Sequence, residues 1–179
     1  MSDHPIWVVD RDATLEEAPG LVTRVMQWLE EQGVATPSLE AEVAFSPATH
    51  CAGPNAKDWV EWLEQPSYCG VVAEVGRQIY HTGGNGIDGF ECPQCKTIHA
   101  PDDVDWGESI GGWFEERDDR LECPTCTKLT SITDWRFLEM EWGFGNLAFG
   151  FDGFGVEQRL ADAIGEVLGH RVVIVYQAI

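Results

Sequence analysis

Positive charge is the scarcest property of this chain. Eleven lysines and arginines stand against 31 aspartates and glutamates, a formal net charge of −20, and Lys57, Lys96 and Lys128 are the only lysines. A field of that sign disfavours nucleic acid and anionic membrane, which are themselves polyanions. Neither is expected as a partner. A basic protein is the partner such a field would steer, although acidity also serves solubility alone. Other absences narrow the class. No apolar run approaches the roughly 18 residues of a membrane-crossing helix. The start, Met1 to Trp7, lacks the basic opening and apolar stretch of a secretion signal. A cytoplasmic location is therefore expected, where reduced thiols favour metal binding over disulfides.

Catalytic signatures are missing too. The phosphate-binding pattern G-x-x-x-x-G-K-[ST] is absent, and none of the three lysines follows the glycine it requires. His4, His50, His81, His99 and His170 share no metal-ligand spacing. His50 stands beside Cys51, yet adjacent residues of a helix or strand do not face each other. With neither a nucleophile–base pair nor an open metal position, no enzymatic activity is expected.

What is present begins with an apolar content of 44%, enough for a real core in one domain spanning residues 1–179. Ile6-Trp7-Val8-Val9 reads as a buried strand. Thr14 and Glu17 have the spacing of a capping box, and Leu21, Val22, Val25, Met26 and Leu29 continue at helical spacing until Gly33. Pro19 marks either a kink or a short turn before the main helix. Residues 42–46 predict a second strand and residues 55–65 a helix with Trp59, Trp62 and Leu63 on one side. Residues 70–80 predict a longer strand, with Val71, Ala73 and Val75 on one face and Val72 on the other. Residues 135–151 read as strand with a bulge or bend. Val156, Leu160, Ile164, Val167 and Leu168 form a helical stripe before Gly169, and residues 172–176 a final strand closing a β-α-β-like unit. The expected class is an α+β or α/β sandwich with a mixed sheet and an inserted zinc-ribbon-like module over residues 90–130.

That module carries the clearest chemistry. Cys92-Pro-Gln-Cys95 and Cys123-Pro-Thr-Cys126 are separated by 27 residues. Each C-P-x-C turn places two thiolates together, and two such turns complete a sulfur tetrahedron around one metal ion. Four protein ligands close the site, so structural zinc is expected, with iron in a rubredoxin-like site as the alternative. Lys96 and Thr127 occupy positions where such turns often carry glycine. His99 reads as a loop residue, and Cys51 and Cys69 as buried small hydrophobes.

Between the turns, Asp102, Asp103, Asp105, Glu108, Glu115, Glu116, Asp118, Asp119 and Glu122 face only Arg117 and Arg120, with Trp106, Trp113 and Phe114 interleaved. Acidic rims around exposed rings suit a basic partner, the charge for steering and the rings as anchors. Alternatively the segment is a solvated loop whose rings fold back over the metal site.

The two C-P-x-C turns together with the terminal Leu168-Gly-His-Arg-Val-Val-Ile-Val-Tyr-Gln-Ala-Ile179 resemble a family of small, uncharacterised proteobacterial zinc-ribbon proteins. Some of these carry a sugar ABC transporter ATPase label, which the missing phosphate loop makes untenable here. In its acidity and tryptophan content the chain is also similar to immunity proteins that neutralise basic nuclease toxins. The expected function is accordingly a cytosolic inhibitor of a basic toxin domain, contacting it through the loop from Asp102 to Glu122 with Trp106 and Trp113 as candidate anchors. A zinc-ribbon adaptor in a housekeeping assembly and a rubredoxin-like redox protein are the alternatives.

Overall fold

A computed structural model describes residues 4–43, 46–83 and 86–177. Its centre is a six-stranded sheet ordered Val172–Tyr176, Ile6–Asp10, Gly143–Asp152, Gly70–Tyr80, His50–Ala52, Ala35–Pro37. Ile6–Asp10 is buried at all five positions because it is paired on both sides, with Phe151 to Leu147 and with Tyr176 to Val172. Every strand pairing of this sheet among the described residues is antiparallel. The expected mixed sheet is thereby corrected. The closing strand and Gly143–Asp152 do run parallel, but Ile6–Asp10 lies between them, so the β-α-β unit is split. A second split unit links Ile6–Asp10 through the first helix to Gly70–Tyr80. Together the two units make a ferredoxin-like βαββαβ connectivity with two added edge strands.

Helix α1 (Ala18–Glu31) and helix α3 (Gln158–Leu168) cover one face of the sheet. They set Leu21, Val25, Leu29, Leu160 and Ile164 against Ile6, Val8, Val71, Leu147, Phe149 and Phe151. The expected capping box closes the turn before the helix instead: the Glu17 N–H donates to Thr14 Oγ1 at 3.3 Å and the Thr14 hydroxyl to Glu17 Oε2 at 2.9 Å. Glu17 itself is the N-cap of α1 and makes no side-chain cap bond. Pro19 falls in the first turn of α1, where its missing N–H leaves no bond unmade. Gly169 ends α3 with φ 73°, the left-handed conformation that favours glycine.

Two segments depart from the expected elements. Residues 55–65 form one 3₁₀ turn, Ala56–Asp58, and then the strand Val60–Leu63. Pairing of Leu63 with Phe154 and of Val60 with Val156 overrides the local helical pattern. Residues 135–151 divide into Arg136–Phe137 and Gly143–Asp152, with a bulge where the register slips between Gly145 and Leu147. Glu42–Val43 pairs with Ser46–Pro47, while residues 44 and 45 of the expected strand lie outside the described residues.

Buried polar groups fasten this layer as well. Asp10 is fully buried; its Oδ1 accepts the N–H groups of Asp12 and Ala13. Its Oδ2 lies 2.8 Å from His170 Nδ1, whose other nitrogen is 3.4 Å from Glu17. The hydrogen bond to Asp10 raises the pKa of His170. One histidine so joins the end of a strand, the approach to α1 and the turn after α3.

The cysteine segment leaves the sheet after Tyr80 and returns at Gly143, residues that are paired with each other. It is an insertion in the hairpin between two neighbouring strands. Among the described residues no helix is long and apolar enough to cross a membrane.

Candidate metal centre

Both C-P-x-C turns sit at the tips of short hairpins. Phe90–Glu91 pairs with Ile98–His99, and Arg120–Glu122 pairs with Leu129–Ser131. The turns repeat the same bonds. The Lys96 N–H donates to Cys92 O and the Cys92 N–H to Thr97 O; the Thr127 N–H donates to Cys123 O and the Cys123 N–H to Lys128 O. Lys96 and Thr127, which replace the usual glycines, adopt left-handed φ values of 62° and 59°. Non-glycine residues rarely hold that conformation. Here two turns hold it at matching positions, and the proline of each stiffens the approach.

The geometry brings all four sulfurs within 4.8 Å of one another. Cys92 and Cys126 are 3.8 Å apart, Cys95 and Cys123 3.7 Å. Sulfurs bonded tetrahedrally to one ion at about 2.3 Å would be about 3.8 Å apart, so the four cysteines fit a metal ion. Four thiolates this close also repel one another, and a bound cation removes that penalty. Cys92 and Cys123 are buried and Cys95 is exposed. Hydrogen bonding from Thr97, whose hydroxyl lies 3.3 Å from the sulfur, holds the Cys95 thiol down at about 6.

His99 is not a loop residue. It lies on the returning strand of the first hairpin, buried, with Nε2 3.3 Å from Cys123 Sγ. It thus contacts a sulfur without being needed to complete the set of four. The only sequence signal was its position four residues after Cys95, on a strand folding back toward the cluster. Cys69 is buried, its thiol 3.5 Å from the carbonyls of Glu64, Gln65 and Gly153, and burial pushes it up to about 11. Cys51 is half-buried.

The segment between the turns is partly helical. Helix α2 spans Trp106–Phe114. Trp106, Ile110 and Trp113 recur at helical spacing and pack on the cluster of Phe90, Leu121, Ile132, Trp135, Phe137 and Phe144 around the buried cysteines. Ring centroids are 6.0 Å apart for Trp106 and Phe90, and 5.2 Å for Trp113 and Phe144. The Arg77 guanidinium lies 3.9 Å from the centre of the Trp113 ring, and its Nε–H donates to Trp113 O at 2.8 Å. Arg77 belongs to the long sheet strand, so this contact clamps the insertion to the layer below.

Trp106 and Trp113 are therefore half-buried against the module's own core, while Phe114 is 49% exposed. Asp102, Asp103, Asp105, Glu108, Glu115, Glu116 and Asp118 are exposed, and Asp119 is half-buried, accepting from the Ser131 hydroxyl at 2.6 Å. The two cations are already engaged. Arg117 pairs with Glu115, and Arg120 holds Asp118 down at about 2 through a double contact.

No family model, curated protein or solved structure matches this chain.

Proposed function

We propose that the four cysteines hold one structural zinc ion in a ribbon-like module, and that the chain is a protein-binding protein whose partner is basic. The single observation that supports the partner is the distribution of charge on the insertion. Seven of its carboxylate residues are exposed between Asp102 and Asp118, whereas Arg117 and Arg120 are spent on carboxylates of the same segment. Such a surface steers a cationic protein and gains little from an anionic one. The closed sulfur set leaves no coordination position for a substrate, which fits a scaffolding role for the metal.

The particular form of binding proposed is inhibition of a basic, nuclease-type toxin domain, in the manner of an immunity protein. The test is affinity capture from the native host with the wild-type chain and with a variant carrying Asp102→Asn, Asp105→Asn, Glu108→Gln and Glu116→Gln. A basic protein should be retained by the wild type, weakened by salt and weakened further in the variant. Retention of acidic proteins or nucleic acid would contradict the reading. Neutralisation of the captured protein's nuclease activity would support inhibition specifically.

A further inference from the structure

The sheet ends differently on its two sides. Ala35–Pro37 is three residues long and includes a proline, which blocks further pairing. The opposite edge, Val172–Tyr176, is Val-Val-Ile-Val-Tyr, without charge, proline or glycine. Its inner side is occupied. The Gln177 N–H donates to Pro5 O and the Arg11 N–H to Arg171 O, each across the pair of strands. By alternation the amides and carbonyls of Val173 and Val175 also face Ile6–Asp10. Those of Val172, Ile174 and Tyr176 point outward, with no strand beyond them among the described residues.

Three grooves adjoin this edge. The one at Val173, on the face away from the helices, holds Arg11 and Arg136, which pair with Asp134 and Glu91. The other two lie on the helix face. One is lined by Val172 together with Asp162 and Glu166 of α3. The other is lined by Ile6, Trp62 and Tyr176 together with Glu61. Trp62 and Tyr176 are 45% and 56% exposed. The cation at the Val172 groove, Arg171, is held by Asp12, and His170 is held between Asp10 and Glu17. On its helix face the edge is thus an apolar, hydrogen-bonding strip flanked by carboxylates.

We propose that Val172–Tyr176 is a docking edge at which a basic protein partner adds an extended segment as a seventh strand. On the helix face, where Val172, Ile174 and Tyr176 lie with these carboxylates, the segment places apolar side chains at its centre and lysines or arginines toward its ends. Those cations meet Asp162, Glu166 and Glu61. A second copy of the chain is the poorer occupant. It would bring two charges of −20 edge to edge and set these carboxylates against their own images. The proposal rests on the basic-partner reading and names the element that does the docking.

A synthetic lysine–valine peptide with valines at its centre and lysines at both ends is the probe, with a glutamate–valine peptide of the same order as control. Amide exchange should slow at Val172, Ile174 and Tyr176 in the presence of the first peptide and not the second. Ile174→Pro removes one outward N–H and leaves the inward bonds of Val173 and Val175; it should weaken binding about tenfold. Should that variant fail to keep the wild-type amide spectrum, Ile174→Lys replaces it, with the same loss expected. Protection at residues 102–119 instead, undiminished binding by both variants, or no binding of the lysine–valine peptide would overturn the docking edge. A peptide-free dimer protected at the same amides would assign the edge to a second copy and overturn the proposed occupant. The two readings fail separately: a basic protein captured equally by wild type and Ile174→Pro would sink the edge alone, whereas capture of no basic protein by the wild type would sink the basic-partner reading.

Discussion

Among the described residues, twenty-three form the buried cluster between the helices and the sheet, against eight in the cluster of the insertion, two of which are cysteines. Each fully buried large apolar side chain contributes about 1.5–3 kcal/mol, so the first cluster can order its layer by burial alone. The second is of the size at which small modules depend on a metal or a disulfide. Strain tells the same story. Among the described residues the layer places left-handed backbone only at glycines such as Gly33, Gly153 and Gly169, whereas the insertion, besides Gly83 and Gly86, places it at Lys96, Glu116, Thr127 and Glu139. A region that accepts such conformations needs a strong local restraint, and four converging sulfurs provide one. The comparison teaches that the two regions share a covalent chain and a contact surface but have separate sources of order.

The largest expected effect breaks the comparison at the metal. Cys92→Ser or Cys123→Ser should abolish stoichiometric zinc and remove binding free energy on the order of 10 kcal/mol from the insertion. Amide exchange should then become fast over residues 90–137 and stay slow in Gly143–Asp152. Loss of protection in both regions would show that they do not order separately. Next comes Phe151→Ala, which empties a fully buried position in the sheet layer. It should cost about 3–5 kcal/mol in chemical denaturation while leaving the metal content unchanged.

A smaller effect concerns the joint between the regions. Arg77→Met removes the guanidinium from the Trp113 ring and carbonyl, and should cost about 1–2 kcal/mol with both regions still folded. The change should appear in the chemical shifts of α2 and of the Gly70–Tyr80 strand together. The smallest effect belongs to the sheet layer and depends on pH. His170 has a raised folded pKa, so its pairing with Asp10 stabilises fully below the ordinary imidazole value and fades as pH rises through the raised one. Thermal stability of His170→Asn should fall below wild type at pH 6 and converge on it in alkaline solution. A gap that widens with pH would reverse the sign of this account.

Local patterns were legible wherever one stretch of chain decided the outcome. The C-P-x-C turns, the strands near Ile6, Val71 and Val175, the stripe of α3 and the Gly169 stop all depend on neighbouring residues. Sheet order was not legible, because Ile6 meets Phe151 across most of the chain and no local period records that partner. The same reason explains the strand at Val60–Leu63, whose helical-looking tryptophans are reassigned by Phe154 and Val156. Helix α2 was missed because an abundance of carboxylates masked the Trp106, Ile110, Trp113 stripe. The apolar cluster of the insertion also runs beyond residue 130, to Ile132, Trp135 and Phe137, since its first hairpin strand pairs with Arg136–Phe137. Within the site, the convergence of four cysteines followed from spacing, whereas the contact of His99 with Cys123 needed the hairpin to be folded.

The central claim, that a sulfur-bound zinc orders the insertion, is tested most directly by X-ray absorption at the metal edge of the protein as purified. The account predicts one zinc per chain with four sulfur neighbours at about 2.3 Å and no nitrogen neighbour. A shell of three sulfurs and one nitrogen, a site filled with iron, or protein that is folded throughout with no bound metal would contradict it.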